Sequence, residues 1–114
     1  MKTILALYRA TFRFDHLLTE WGGSGSKVGA FFNPTDVAVG AQGRIWVSDW
    51  RNHRVQVLEP DGTFVAAWGD EGKIGEGLLL GPNSLALDGA GFVYVADIDN
   101  DTVQKYRILP PFGP

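Results

Sequence analysis

Apolar positions along this chain alternate with polar ones over short stretches and never hold a helical spacing for long. Tyr8, Ala10, Phe12 and Phe14 alternate with Arg9, Thr11, Arg13 and Asp15, the period of two that marks a half-buried strand. Short apolar runs predict further strands over Asp36–Val39, Arg44–Ser48, Arg54–Leu58 and Phe64–Trp68. Three more are predicted over Ser84–Leu87, Phe92–Ala96 and Thr102–Arg107. Turn residues separate the runs. Glu59-Pro60-Asp61-Gly62 joins a fixed φ, a side chain that bonds its own backbone and a residue free to take positive φ, which suits a tight hairpin. The expectation is an all-β chain with almost no helix.

The strands recur. Shifted by 48 residues, Pro34–Glu59 falls on Pro82–Arg107 without a gap, with eight identities in 26 positions. Pro34, Ala38, Gly43, Val47, Asp49, Asn52, Val55 and Gln56 match Pro82, Ala86, Gly91, Val95, Asp97, Asn100, Val103 and Gln104. A partial third copy lies in front: Leu17-Leu18-Thr19-Glu20-Trp21-Gly22 falls on Phe64-Val65-Ala66-Ala67-Trp68-Gly69 at an offset of 47. A repeat of this length, made of four short strands, is the signature of a β-propeller blade. About two full blades plus strands of a third are therefore expected. Residues 1–22 read as strands of a partial blade and residues 23–69 as a complete one. Residues 70–109 read as a second blade lacking its fourth strand, because Pro110 and Pro111 stop it, and residues 110–114 as a tail.

The combined pattern Pro34-x-x-Val37-Ala38-Val39, Gly43-x-Ile45-Trp46-Val47-Ser48-Asp49, Asn52-His53-Arg54-Val55-Gln56-Val57 and Asp61-Gly62-x-Phe64-Val65-x-x-Trp68-Gly69 resembles the NHL repeat. The resemblance covers roughly residues 17–107 and implies a propeller of about six blades when complete. The blades are similar to those of the peptidyl-hydroxyglycine α-amidating lyases. That likeness implies a metal-binding histidine in a Pro-His-Ser-Leu-Ala-Leu segment, which here reads Pro82-Asn83-Ser84-Leu85-Ala86-Leu87. Asn83 replaces the histidine, and Thr35 stands at the matching position of the first copy. The tyrosine the likeness implies near Trp50-Arg51 is also missing. The scaffold carries over and the chemistry does not, so the chain reads as a non-catalytic binding or scaffold module, with no metal or other cofactor expected. A remnant of a lyase-like enzyme is the alternative.

Composition narrows the field further. With 45% hydrophobic and 20% charged residues the chain is globular. A net charge of −3 disfavours a general phosphate-binding surface, so an RNA-binding module is the weaker alternative. No cysteine is present, so there is neither a disulfide nor a thiolate metal site. The histidines are His16 and His53, far apart in the repeat, whereas a catalytic zinc typically takes three protein ligands. Asp97, Asp99 and Asp101 alternate as in a calcium loop, but Thr102 and Ile108 stand where such a loop needs Gly and Glu. The apolar run Ile4–Leu7 is shorter than the roughly 7–15 residues of a signal peptide, which favours a cytoplasmic chain, and no membrane contact is expected.

The remaining candidates are loop residues. Asp49, Asn52, His53 and Arg54 form either a contact loop or a turn closed by side-chain bonds; Asp97 and Asn100 repeat the spacing, which favours the turn. Trp50, Arg51 and His53 are not repeated and are the candidate loop-face contacts, for a protein or a small ligand. Thr35 and Asn83 are candidate channel-lining residues. Trp21, Trp46 and Trp68 are expected between blades. Gly22–Ser26 and Gly69–Gly72 read as inter-blade linkers. Because blades bury their faces only against neighbours, a partner is expected: a second and third copy in a trimeric ring, with Leu17–Trp21 completing a neighbour's second blade, or another propeller chain.

Overall fold

A computed structural model of the chain describes residues 16–69 and 79–110. The alternating segment at Tyr8–Phe14, residues 70–72 of the second linker and the tail 111–114 lie outside those residues. Seven strands form two antiparallel sheets. The first is the meander β1 (Pro34–Val39), β2 (Ile45–Asp49), β3 (Arg54–Leu58) and β4 (Phe64–Gly69). The second is β5 (Pro82–Leu87), β6 (Phe92–Asp97) and β7 (Thr102–Arg107). The all-β expectation holds, and the seven strands fall where the short apolar runs place them, apart from shifts at their ends. Two single 3-10 turns, Ala41–Gly43 and Trp50–Asn52, are the helical pieces among the described residues.

The boundaries differ at the prolines. β1 and β5 begin at Pro34 and Pro82, two residues before the predicted starts, and the register slips between Pro34 and Asp36 and between Pro82 and Ser84. A proline is tolerated at a strand start beside a bulge, because its missing N–H leaves no ladder bond unmade.

The sheets stack face to face. Trp46, Val55 and Val57 of the first meet Val93 and Val95 of the second, with Leu79 entering from the segment before β5. Trp68 stands edge-on to Trp46, with ring centroids 5.7 Å apart, and to Tyr106 at 5.4 Å. Such pairs contribute about 0.5–1.5 kcal/mol beyond burial.

Leu17–Trp21 departs from the expectation. These residues form no strand, and Leu17 and Leu18 are exposed. A fourth strand exists only as the ladder neighbour of a third, and the described residues offer Leu17–Trp21 no such neighbour. Trp21 consequently does not enter a core between blades. It is 38% exposed and its indole lies over the Gly62 turn, where a Cβ would stand 2.2 Å from Trp21 Cδ1. Among the described residues, the outer edge of β7 has no strand beside it.

The Gly22–Ser26 linker is held down. Gly25 N–H donates to Phe31 O (3.0 Å) and Phe31 N–H to Gly23 O (2.9 Å). Arg54 then reaches over β3 to bond Ser26 O (3.0 Å), Lys27 O (2.9 Å) and Ala30 O (2.9 Å). One guanidinium thus satisfies three loop carbonyls that would otherwise turn to water.

Candidate functional site

Each blade carries a buried carboxylate at the end of its second strand. Asp49 is fully buried and accepts from Phe32 N–H (2.7 Å), Asn52 Nδ2 (2.9 Å), Arg54 Nε (2.8 Å) and Gln56 Nε2 (3.1 Å). Asp97, also fully buried, accepts from Leu80 N–H (3.0 Å), Gly81 N–H (2.8 Å), Asn100 Nδ2 (2.9 Å) and Gln104 Nε2 (3.4 Å). Burial pushes the Asp97 carboxyl up, but hydrogen bonds from Leu80, Gly81 and Asn100 outweigh it and hold the pKa below the usual value. Both carboxylates therefore tie the loop entering a blade to that blade's second strand. The Asp/Asn spacing closes turns, as its repetition suggests. The glutamines that complete each cluster escaped the sequence reading, although Gln56 and Gln104 also match in the repeat.

The three loop-face candidates come together. Trp50, Arg51 and His53 line a surface cavity of about 300 Å³ with Phe32, Leu80 and Asp99. The 3-10 turn Trp50–Asn52 presents the first two, and His53 ends it with φ 56°, a left-handed conformation uncommon for a residue with a Cβ. The Arg51 guanidinium lies 5.1 Å from the Trp50 ring centroid and 5.7 Å from that of Phe32. Trp50 Nε1 donates to Asp99 Oδ2 (3.1 Å), and His53 Nδ1 bonds Leu80 O, so the patch bridges the two blades. A carbonyl only accepts, so Nδ1 carries a proton there. Trp50 is half-buried, not fully exposed. Phe32 joins from the first blade's own entering loop, where its carbonyl accepts from Arg51 N–H (3.0 Å); Leu80 and Asp99 were not singled out by sequence, and their place in the patch comes from folding the second blade against the first.

Thr35 and Asn83 lie on the innermost strands, β1 and β5, where the blades join. Thr35 Oγ1 and Ser48 Oγ are 2.8 Å apart, and Ser48 Oγ donates to Asn83 O (3.2 Å). Asp36 accepts from Val37 N–H through Oδ1 (2.9 Å) and from Leu85 N–H through Oδ2 (2.8 Å). Asp36 and Ser48 of the first blade thus clasp the backbone of β5. Among the described residues no three His, Cys, Asp or Glu side chains are placed to hold a metal ion together. Neither Asn83 nor Thr35, whose hydroxyl is engaged with Ser48, supplies the imidazole that the lyase likeness implies as a metal ligand.

Comparison with known proteins agrees with this architecture. The family pattern described as NHL repeat matches residues 31–58, from the entering loop through β3. The chain is 40% identical over 68 residues to Protein brain tumor of Drosophila melanogaster, an alignment covering 60% of this chain and 6% of that protein. It is 37% identical over 89 residues to peptidylglycine alpha-amidating monooxygenase of Rattus norvegicus, covering 73% of this chain and 9% of the relative. It is 44% identical over 45 residues to the B-box type zinc finger protein ncl-1 of Caenorhabditis elegans, covering 40% and 5%. The chain thus spans less than a tenth of each of these relatives. The first meander carries an NHL repeat, and the 48-residue offset and the matching Asp–Asn–Gln clusters make the second meander a further copy of the same kind of blade.

Proposed function

We propose that this chain is a non-catalytic binding or scaffold module whose open sheet faces are completed by further propeller blades, and whose loop-face patch at Trp50, Arg51 and His53 contacts a protein or small ligand. The observation that carries the first part is a contrast between matched residues. Leu85 and Leu87 of β5 pack against the core between the blades, whereas their counterparts Val37 and Val39 in β1 are 61% and 67% exposed. On the far side, Val103 of β7 is 72% exposed while its counterpart Val55 is fully buried. Apolar residues on both outer faces thus stand exposed where the repeat elsewhere forms a blade–blade contact, which favours a partner there. Copies of this chain and blades of another chain both meet the requirement at this level.

Light scattering combined with binding of the dye ANS tests the reading. Either a ring of copies, or a folded monomer that binds the dye through open faces, supports it. A folded monomer that leaves the dye dark would sink it.

A second reading follows from the 37% identity to an amidating monooxygenase over most of this chain. It makes the chain part of an enzyme of that kind. Stoichiometric zinc or calcium in metal analysis of the purified protein would support it, and metal-free protein would end it.

A further inference from the structure

Granting that further blades complete the open sheets, the structure also singles out what joins the open edge of β7. We infer that Leu17–Gly22 is presented to a second copy of this chain, as the fourth strand of that copy's second blade. Three observations carry this.

The first is the posture of the segment. Gly69 ends β4 with φ 101° and packs so closely on Leu79 that a Cβ on the glycine would stand 2.8 Å from Leu79 Cδ1. Gly22, its match in the repeat, has φ 105°, and a Cβ there would stand 2.6 Å from Cδ2 of Phe31, the counterpart of Leu79. Leu17–Gly22 thus leads into the first blade by the turn through which β4 leads into the second. The indoles agree. Trp68 stands edge-on to Tyr106 of the second blade, and Trp21 lies over the Gly62 turn that follows Leu58, the counterpart of Tyr106. The fourth strand of a preceding blade would stand in this place. It lies on the side of the first blade away from the second, so its partner is not the β7 of the same chain. Among the described residues no strand pairs with it.

The second is the edge that would receive it. β4 pairs with β3 in the register Val55↔Trp68, Gln56↔Ala67 and Val57↔Ala66. Carried to β7, that register sets Trp21 beside Val103, Glu20 beside Gln104 and Thr19 beside Lys105. Val103 is exposed and would be covered by Trp21. An open edge offers a row of N–H and C=O groups that a strand of another chain can bond.

The third is the fit of the faces that this pairing brings together. Leu79 and Val55 share the core between the blades, and their counterparts set Phe31 of one copy against Val103 of the next. Val57 shares its cleft with Arg107 and Leu109. Their counterparts set Lys105 opposite Glu59 and Asp61 of the second copy, a pairing of opposite charge. Asp88 also acts on Lys105 within its own blade, so the pairing directs the docking more than it strengthens it. The polar clasp is not repeated, because Ala96 and Ser84 stand in place of Ser48 and Asp36. The seam between copies is therefore weaker than the seam within one and parts on dilution. Each copy offers one segment and one edge, so the contact is head-to-tail and extends to further copies.

The test uses the full chain, which holds no cysteine. Thr19→Cys and Lys105→Cys variants are mixed in equal amounts with oxidised glutathione, and intact mass separates mixed from like-with-like dimers. Directly opposed residues on antiparallel strands lie within reach of a disulfide. The mixed dimer is expected to dominate; a share no greater than chance pairing gives overturns the inference. Sedimentation equilibrium in the micromolar range then compares the wild type with Thr19→Pro/Glu20→Pro. One of two adjacent N–H groups on a strand faces its neighbour, so the two prolines remove a ladder donor, and both sites are exposed and outside the strands of their own chain. The wild type is expected to associate, and the proline variant to do so about tenfold or more weakly with its circular dichroism unchanged. A wild type that stays monomeric overturns the inference, as does a proline variant that associates equally well. A monomer that still binds ANS leaves completion by further blades standing, whereas one that leaves the dye dark removes both.

Discussion

Removing the Asp36 carboxylate should loosen the seam between the two blades more than its place on a half-exposed strand suggests. Its two oxygens hold two backbone donors in different environments. The bond from Val37 N–H is exposed, so water replaces it when the side chain is cut back. The bond from Leu85 N–H crosses between blades and is partly buried, so its loss leaves a poorly solvated donor. A hydrogen bond to a charged group in that setting is worth about 1.5–3 kcal/mol, which sets the expected cost of Asp36→Ala. Asp36→Asn keeps an oxygen for one of the two donors and should cost about 1 kcal/mol. Urea unfolding followed by tryptophan fluorescence measures both, since Trp46 and Trp68 report from the contact itself. Ser48→Ala, which cuts the other half of the clasp, should couple with Asp36→Ala by more than about 0.5 kcal/mol, because both hold the same strand. A cost for Asp36→Ala within the about 0.5 kcal/mol of an ordinary surface change would refute the clasp.

Two further outcomes follow from single residues. The Asp97 pKa lies below 3.8 in the folded chain because backbone N–H groups and Asn100 hold the ionised form against the cost of burial. A depressed folded-state value means that Asp97 stabilises the fold above its unfolded pKa, and that this contribution fades as pH falls through the folded one. Urea midpoints measured from neutral to about pH 2 should therefore fall in acid for the wild type, with a shallower fall below about pH 4 for Asp97→Asn, which starts from a lower midpoint. Gly62→Ala should destabilise by more than about 1 kcal/mol, because φ is +92° and the new Cβ meets the Trp21 indole; acrylamide quenching should rise as Trp21 is displaced, and no change in quenching would remove Trp21 from the turn.

The strands were legible because alternation and turn chemistry are local. The second blade was legible because its counterpart stands 48 residues earlier. What repetition cannot reveal is a contact between unlike positions. Arg54 bonds three carbonyls of the Gly-rich linker, yet its counterpart Thr102 has a buried hydroxyl without a partner among the described residues, so no matched pair announces the role. Leu79 is fully buried, but it sits after a Gly-rich stretch that reads as linker; the run Leu78-Leu79-Leu80 before Pro82 was its signal. Trp21 misled in the opposite direction. It matches Trp68 in sequence, but Trp68 is core because β4 pairs with β3, and the described residues give Trp21 no strand to lie in. The loop-face patch shows the same limit: Trp50, Arg51 and His53 stood out by failing to repeat, while Leu80 and Asp99 join them only once the second blade packs against the first. Likeness between copies thus marks what builds a blade, and difference marks where blades meet something else. On that logic Lys105 against Val57, and Ala96 against Ser48, carry more information about partners than the eight identities do. The identities are what any blade of this kind needs, whereas these two substitutions lie on a face whose counterpart in the first blade is buried.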